Sequence, residues 1–265
     1  MGAHLWVADH AQSFCRLDAS ANGILALNPA TCNLAATSPG APAFDPATHF
    51  VYVPDNSSKS RGVWRLKFNP VTETVGNPVL LAPNAGLGGN RPTTVALGPD
   101  GNLYVSFLKK GNLVRINNPA AATQTARTIG TSSDRRRVLG LAFVGTDLYL
   151  AETAAITMIA NAPGCATGCR SAGLGLAGIT APATLIASGA TLFIADTTLV
   201  WQYATDTTAL NQNSAFGSYN GANVPYQNIS GLGLDAAGNL YIGDDPTAGG
   251  QVMQGRIWSV ASPTP

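Results

Sequence analysis

Five carboxylates occupy one position of a repeated pattern. Asp9, Asp55, Glu152, Asp196 and Asp244 each close a short run of strand-forming residues. A carboxylate can act as general base or as a hard-cation ligand. One that returns at each repeat suits a local task, accepting backbone N–H groups at a turn. The residues that do not repeat are better placed for chemistry. His10 follows Asp9, and Asp245 follows Asp244. Arg91 precedes one apolar segment, Arg137 ends the run Arg135-Arg136-Arg137 before another, and Asn228 precedes a third. A guanidinium offers a planar fork of donors that can grip a carboxylate or phosphate through two parallel bonds. The competing reading of these arginines is a solvated loop paired to Asp134 and Glu152. The long Asn/Gly/Ser-rich stretch 206–228 carries Phe216, Tyr219 and Tyr226, an aromatic-and-amide composition suited either to sugar or peptide contacts or to an ordered lid.

Other chemistries are excluded by motif. There is no Gly-x-Ser-x-Gly, no His-Glu-x-x-His and no phosphate-binding glycine loop. The three histidines are His4, His10 and His49. Charged residues make up 11% of the 265 and the net charge is +1, so the chain has neither a nucleic-acid footprint nor a polybasic membrane patch. Four cysteines fall as Cys15 with Cys32, and Cys165-Ala-Thr-Gly-Cys169. The even count and the loop setting of the second pair point to two disulfides and an extracytoplasmic home, periplasmic or secreted. No leader peptide precedes the first strand, so the expectation is that one has been removed, the alternative being a cytoplasmic protein. A Cys-x3-Cys metal site is the alternative for the second pair.

These residues are positioned by a repeat. The fullest copy is Pro92–Asn117, with apolar segments Val95–Leu97, Leu103–Phe107 and Leu113–Ile116 separated by Gly98-Pro99-Asp100-Gly101-Asn102 and by Lys109-Lys110-Gly111-Asn112. Asp-Gly and Gly-Pro pairs mark tight turns, and three strands so joined form a β-meander. The aromatic of the second strand recurs as Trp6, Tyr52, Tyr104, Tyr149, Phe193 and Tyr241, at intervals of 44 to 52 residues. First strands are expected at Ala43–Asp45, Val95–Leu97, Leu141–Val144, Leu185–Ala187 and Leu232–Asp235. Third strands are expected at Phe14–Leu17, Val63–Leu66, Leu113–Ile116, Ile156–Ile159, Leu199–Gln202 and Arg256–Val260. A period in the forties with several strands per unit is the mark of a propeller. The repeats run end to end, which predicts a single domain over 1–265: an all-β, six-bladed propeller with blades of three to four antiparallel strands. No inner strand precedes His4 and no fourth strand follows Val260, so the ring closure is expected to be incomplete, leaving an edge for a partner or for self-association.

The motif Pro-x-x-x-Ala-x-Gly-Pro-Asp-Gly-Asn-Leu-Tyr-Val (92–105) and Gly-Leu-Gly-Leu-Asp-Ala-Ala-Gly-Asn-Leu-Tyr-Ile (231–242) resemble the NHL-repeat and gluconolactonase/regucalcin-like group of propellers. So do Leu-Trp-Val-Ala-Asp (5–9) and Leu-Phe-Ile-Ala-Asp-Thr (192–197). The resemblance implies a ligand site over the central channel, where inner strands start and second strands end. Lactonase-like members hold a divalent metal there through Glu and Asn/Asp side chains. At those positions this chain has Arg91, Arg137 and Pro182, with only Asn228 as an oxygen donor. The expectation is therefore a binding or interaction module without a cofactor. It would recognise a small molecule or a protein through His10, Arg91, Arg137, Glu152, Asn228 and Asp245. The alternative is a lactonase- or lyase-like enzyme with one divalent metal such as calcium.

Overall fold

The computed structural model describes residues 4–9, 13–19, 25–32, 38–57, 61–81, 91–108, 112–131, 137–212, 218–219, 222–223, 226, 228–245, 247–248, 251–252 and 256–260. The fold is an all-β propeller. The chain packs as two compact units, Met1–Thr131 with Ala166–Gly168, and Ser132–Cys165 with Cys169–Pro265.

In the first unit, the Tyr52 blade runs through Ala43–Asp45, Phe50–Asp55, Gly62–Asn69 and Thr74–Leu81. The Tyr104 blade runs through Pro92–Leu97, Leu103–Phe107, Asn112–Asn117 and Thr125–Thr131. In the second unit, the Tyr149 blade comprises Val138–Val144, Asp147–Glu152, Ala155–Ile159 and the short Ala172–Gly173. The Phe193 blade comprises Pro182–Ser188, Thr191–Asp196, Leu199–Ala204 and Ala209–Gln212. The Tyr241 blade has Ile229–Leu234, Leu240–Asp244 and Arg256–Val260. Neighbouring strands within each are antiparallel and follow chain order.

The expected count of six blades is corrected to five. Trp6 lies in a three-stranded sheet, Leu5–Asp9, Ser13–Ala19 and Leu25–Leu27. Among the described residues this sheet has no inner strand of the kind that opens each of the five blades. Its aromatic repeats the second-strand signal without the strand that makes a blade.

Second strands are mainly apolar up to the carboxylate that ends four of them, because both their faces are covered. Leu192 and Ile194 pack with Tyr149, Ala151 and Ile156 of the preceding blade. Phe193 and Ala195, on the opposite face, pack with Ile229, Leu240 and Ile242 of the following one. In the first unit Val51 and Val53 pack with Phe14, while Tyr52 packs with Val95, Leu103 and Val105. Alternation of side chains across a strand makes this division. The turn motif is a side-chain device. Asp100 Oδ2 accepts from Asn102 Nδ2 (2.8 Å) and from the Tyr104 hydroxyl (3.0 Å). Asp235 repeats it with Asn239 Nδ2 (2.7 Å) and the Tyr241 hydroxyl (3.2 Å). The motif aromatic thus has one end in the core and its hydroxyl on the turn carboxylate. Burial pushes the Tyr104 phenol up to about 12.

Inner strands begin about three residues before the apolar segments that announce them, at Pro92, Val138, Pro182 and Ile229. In all four the register against the second strand slips after the first residue, as between Pro182↔Asp196 and Thr184↔Ala195. A bulge here bends the strand end and re-aims its side chains. Adjacent inner strands also approach closely. A Cβ on Gly140 would lie 2.8 Å from Leu185 N and 2.9 Å from Thr184 Cα.

Gly140→Ala is expected to force these backbones apart, costing about 1–3 kcal/mol and lowering Tm by roughly 3–10 °C. Gly173→Ala, which meets nothing within 4 Å, serves as the control in the same thermal melts. Asn239, through its side chain and then its backbone N–H, holds the Asp235 carboxyl below its ordinary value. A depressed carboxyl stabilises the fold above the unfolded pKa and loses that contribution as pH falls through the folded one. The Tm gap between wild type and Asp235→Asn is therefore expected to be constant above about pH 4 and to close below it.

Candidate functional site

The repeated carboxylates hold the chain where it turns into each inner strand. Asp55 is fully buried, and its Oδ1 accepts the N–H groups of Ser38 (3.1 Å) and Ser57 (2.9 Å). Asp196 accepts Thr180 N at 2.9 Å and Ala181 N at 2.8 Å, one on each oxygen. Asp244 Oδ1 accepts Asn228 N at 2.9 Å. Each carboxylate thus caps the backbone that leads into its own blade's inner strand. The Tyr104 blade has Phe107 at this position, and there Leu108 N donates to the Arg91 carbonyl instead (2.8 Å). The side chain of Asp9 lies outside the described residues.

Glu152 departs from this pattern. It is 1% exposed, yet its Oε1 accepts from two hydroxyls, Thr157 Oγ1 at 2.6 Å and Ser171 Oγ at 3.0 Å. No ion pair among the described residues reaches it.

The remaining candidates are surface groups at the same strand ends. Arg91, in the first unit, is exposed. In the second unit Arg137 is exposed, and its carbonyl accepts from Thr153 Oγ1 at 3.4 Å, next to Glu152. Asn228 and Asp245 are exposed and adjacent, with Asp245 N donating to the Asn228 carbonyl at 2.9 Å. His10, Arg135, Arg136 and Phe216 lie outside the described residues. Tyr226 is a core residue: it is 4% exposed, its ring meets Trp258 edge-on at 6.3 Å, and burial raises its phenol. Sequence reasoning missed Thr157 and Ser171, which share Glu152. The available signal was the position of Ser171, two residues after Cys169. Both expected disulfides are present, Cys15–Cys32 and Cys165–Cys169. No helix among the described residues is long and apolar enough to cross a membrane.

A hard divalent cation needs several converging oxygen ligands. Among the described residues no group of three or more His, Cys, Asp or Glu side chains converges. Asp55, Asp196 and Asp244 are committed to backbone N–H groups. The donor set among the described residues does not fit a lactonase-type metal centre.

No family model and no curated protein matches the sequence. Solved structures do match its fold. A gluconolactonase from Xanthomonas campestris is 16% identical with a TM-score of 0.63, covering 98% of this chain and 82% of its own. A PQQ-bound aldose sugar dehydrogenase from Streptomyces coelicolor is 14% identical with a TM-score of 0.61, covering 97% and 90%. A virginiamycin B lyase from Staphylococcus aureus is 11% identical with a TM-score of 0.54, covering 90% and 73%. These likenesses agree with the propeller resemblance and extend to the fold alone.

Asp196→Ala is expected to remove the acceptor of the part-buried Thr180 and Ala181 N–H groups, costing on the order of 1–2 kcal/mol. Asp245→Ala, at an exposed neighbour of the same repeated position, is expected to change stability by less than about 0.5 kcal/mol. Denaturant unfolding of the two variants measures the difference.

Proposed function

We propose that this chain is an enzyme acting on a small, polar, carbohydrate-derived carbonyl compound, with sugar lactones as the first class to test. The substrate would be held at the strand ends of the second unit by Arg137, Asn228 and Asp245. This reading takes the place of the binding module expected from the sequence. One observation carries it: Asp55, Asp196 and Asp244 are committed to backbone N–H groups, while the exposed side chains of Arg137, Asn228 and Asp245 stand at the same strand ends and none of them supplies such a cap. The propellers of similar fold named as gluconolactonase and sugar dehydrogenase supply the substrate class.

The chemistry fits these side chains. Arg137 is a donor for a carbonyl oxygen or for the carboxylate of a sugar acid. The Asn228 amide and the Asp245 carboxylate supply a donor and acceptors for ring hydroxyls. The two disulfides support an extracytoplasmic setting, where oxidising conditions preserve them.

Hydrolysis of a panel of sugar lactones, followed by pH-stat with and without EDTA and added calcium, tests the reading. Saturable turnover is expected. Arg137→Ala is expected to raise KM by roughly 10–100-fold, the worth of one charge-assisted contact. Absence of turnover together with calorimetric binding of the lactone or its acid would return the chain to the binding modules, and absence of both would overturn the reading.

A further inference from the structure

Glu152 sits where Asp55, Asp196 and Asp244 sit, yet it does something different. Those three accept backbone N–H groups. Glu152 is one methylene longer, and its bonds go to hydroxyls, both on Oε1. No described residue donates to Oε2. Among the described residues no cation pairs with Glu152, and burying a carboxylate without one is costly unless the structure has a use for it. Glu152 lies one residue inside the exposed turn Thr153–Ala154, at the strand end that carries Arg137.

The two hydroxyls are themselves well fixed. Thr157 is 2% exposed on the third strand and pairs with Gly173, while Met158 pairs with Ala172. Leu174 N donates to the Ile156 carbonyl at 3.1 Å. Ser171 is 6% exposed and adjoins this ladder, two residues beyond the Cys165–Cys169 disulfide. One oxygen of Glu152 is thereby clamped from two sides by residues that are held by a ladder and a covalent bridge. No described residue holds the other.

We propose that Glu152 is the general base of the strand-end site, with Oε2 as the working oxygen and with Thr157 and Ser171 as positioning residues. The proposal rests on the lactone reading above for its substrate. In the step, water forms a bond to the lactone carbonyl carbon while one of its protons passes to Glu152 Oε2. The ring C–O bond then breaks, and the departing alkoxide takes that proton. One water is consumed, one hydroxy acid is formed, and Glu152 returns to its ionised state. No other reactant is needed. Clamping Oε1 serves this step because a general base must be held within hydrogen-bond reach of the proton it takes.

The test has two arms. In the first, lactone hydrolysis is compared for wild type, Glu152→Gln, Ser171→Ala and Ser171→Thr. Glu152→Gln keeps the acceptor oxygen and the side chain's shape. It is expected to lower kcat by about 10²–10⁴-fold, with KM changed less than about threefold and the acid limb of the pH–rate profile gone. Ser171→Ala is expected to shift that limb, and Ser171→Thr to restore it. Wild-type kcat in Glu152→Gln would overturn the proposal. The second arm needs no turnover. The folded protein is treated with a water-soluble carbodiimide and glycinamide, and the modified carboxyls are mapped by mass spectrometry. Glu152, although no more exposed than Asp196 or Asp244, is expected to react ahead of Asp55, Asp196 and Asp244, which are held by backbone N–H groups. Equal inertness of all four would overturn the proposal. Selective labelling of Glu152 in a protein that hydrolyses no lactone would uphold its open oxygen and reject the lactone reading instead.

Discussion

Burial of the second strand on both faces is the constraint on which the rest depends. A strand whose side chains alternate between two covered faces has no polar side to spare, and Val51 to Asp55 are accordingly all buried. The Phe193 strand shows how this ties units together. Leu192 and Ile194 belong to one cluster and Phe193 and Ala195 to the next, so a one-residue slip would exchange both sets at once. The tight turn that precedes each second strand guards against such a slip. In two blades a turn aspartate reaches the motif tyrosine hydroxyl, which couples the turn to the aromatic it must deliver.

The carboxylate at the far end of the second strand performs the matching task. It caps the backbone leading into the inner strand, just before the register shift. Two consequences follow for chemistry. The charged group that recurs most at the strand ends is committed to structure. The residues that break the repeat are those the proposed site draws on: the exposed Arg137, the adjacent Asn228 and Asp245, and a glutamate whose bonds go to hydroxyls. A repeat architecture holds its scaffold by regularity, so departures from regularity are where individual function can be placed.

The disulfides have different neighbourhoods. Cys15 is fully buried in the Trp6 sheet and joins it to Cys32, reinforcing a sheet of three strands. The Cys165–Cys169 bridge closes a short loop just ahead of Ser171. It sits beside the only one of the four described strand-end carboxylates that binds no backbone amide, among the described residues.

The sequence by itself determined the all-β class, the propeller resemblance, the position of each second strand and both cysteine pairs. Those features are written in local chemistry: alternating or continuous apolar runs, Asp-Gly and Gly-Asn turns, and cysteines in pairs. Outer strands such as Thr74–Leu81 and Thr125–Thr131 were not legible, because their side chains face solvent and carry little apolar pattern. The blade count was overstated, because Trp6 repeats the aromatic signal while an inner strand is a matter of pairing, which the signal does not carry. At the site, the structural role of Asp55, Asp196 and Asp244 was legible from their recurrence, whereas Glu152 departs from it. The clamp of Thr157 and Ser171 on Glu152 was decided only by tertiary structure, since it brings together residues 5 and 19 positions away by laying a two-residue outer strand against Thr157 and Met158. Residue type and spacing along the chain encode a strand, but the partner of a buried oxygen depends on which hydroxyls the folded sheet carries to it.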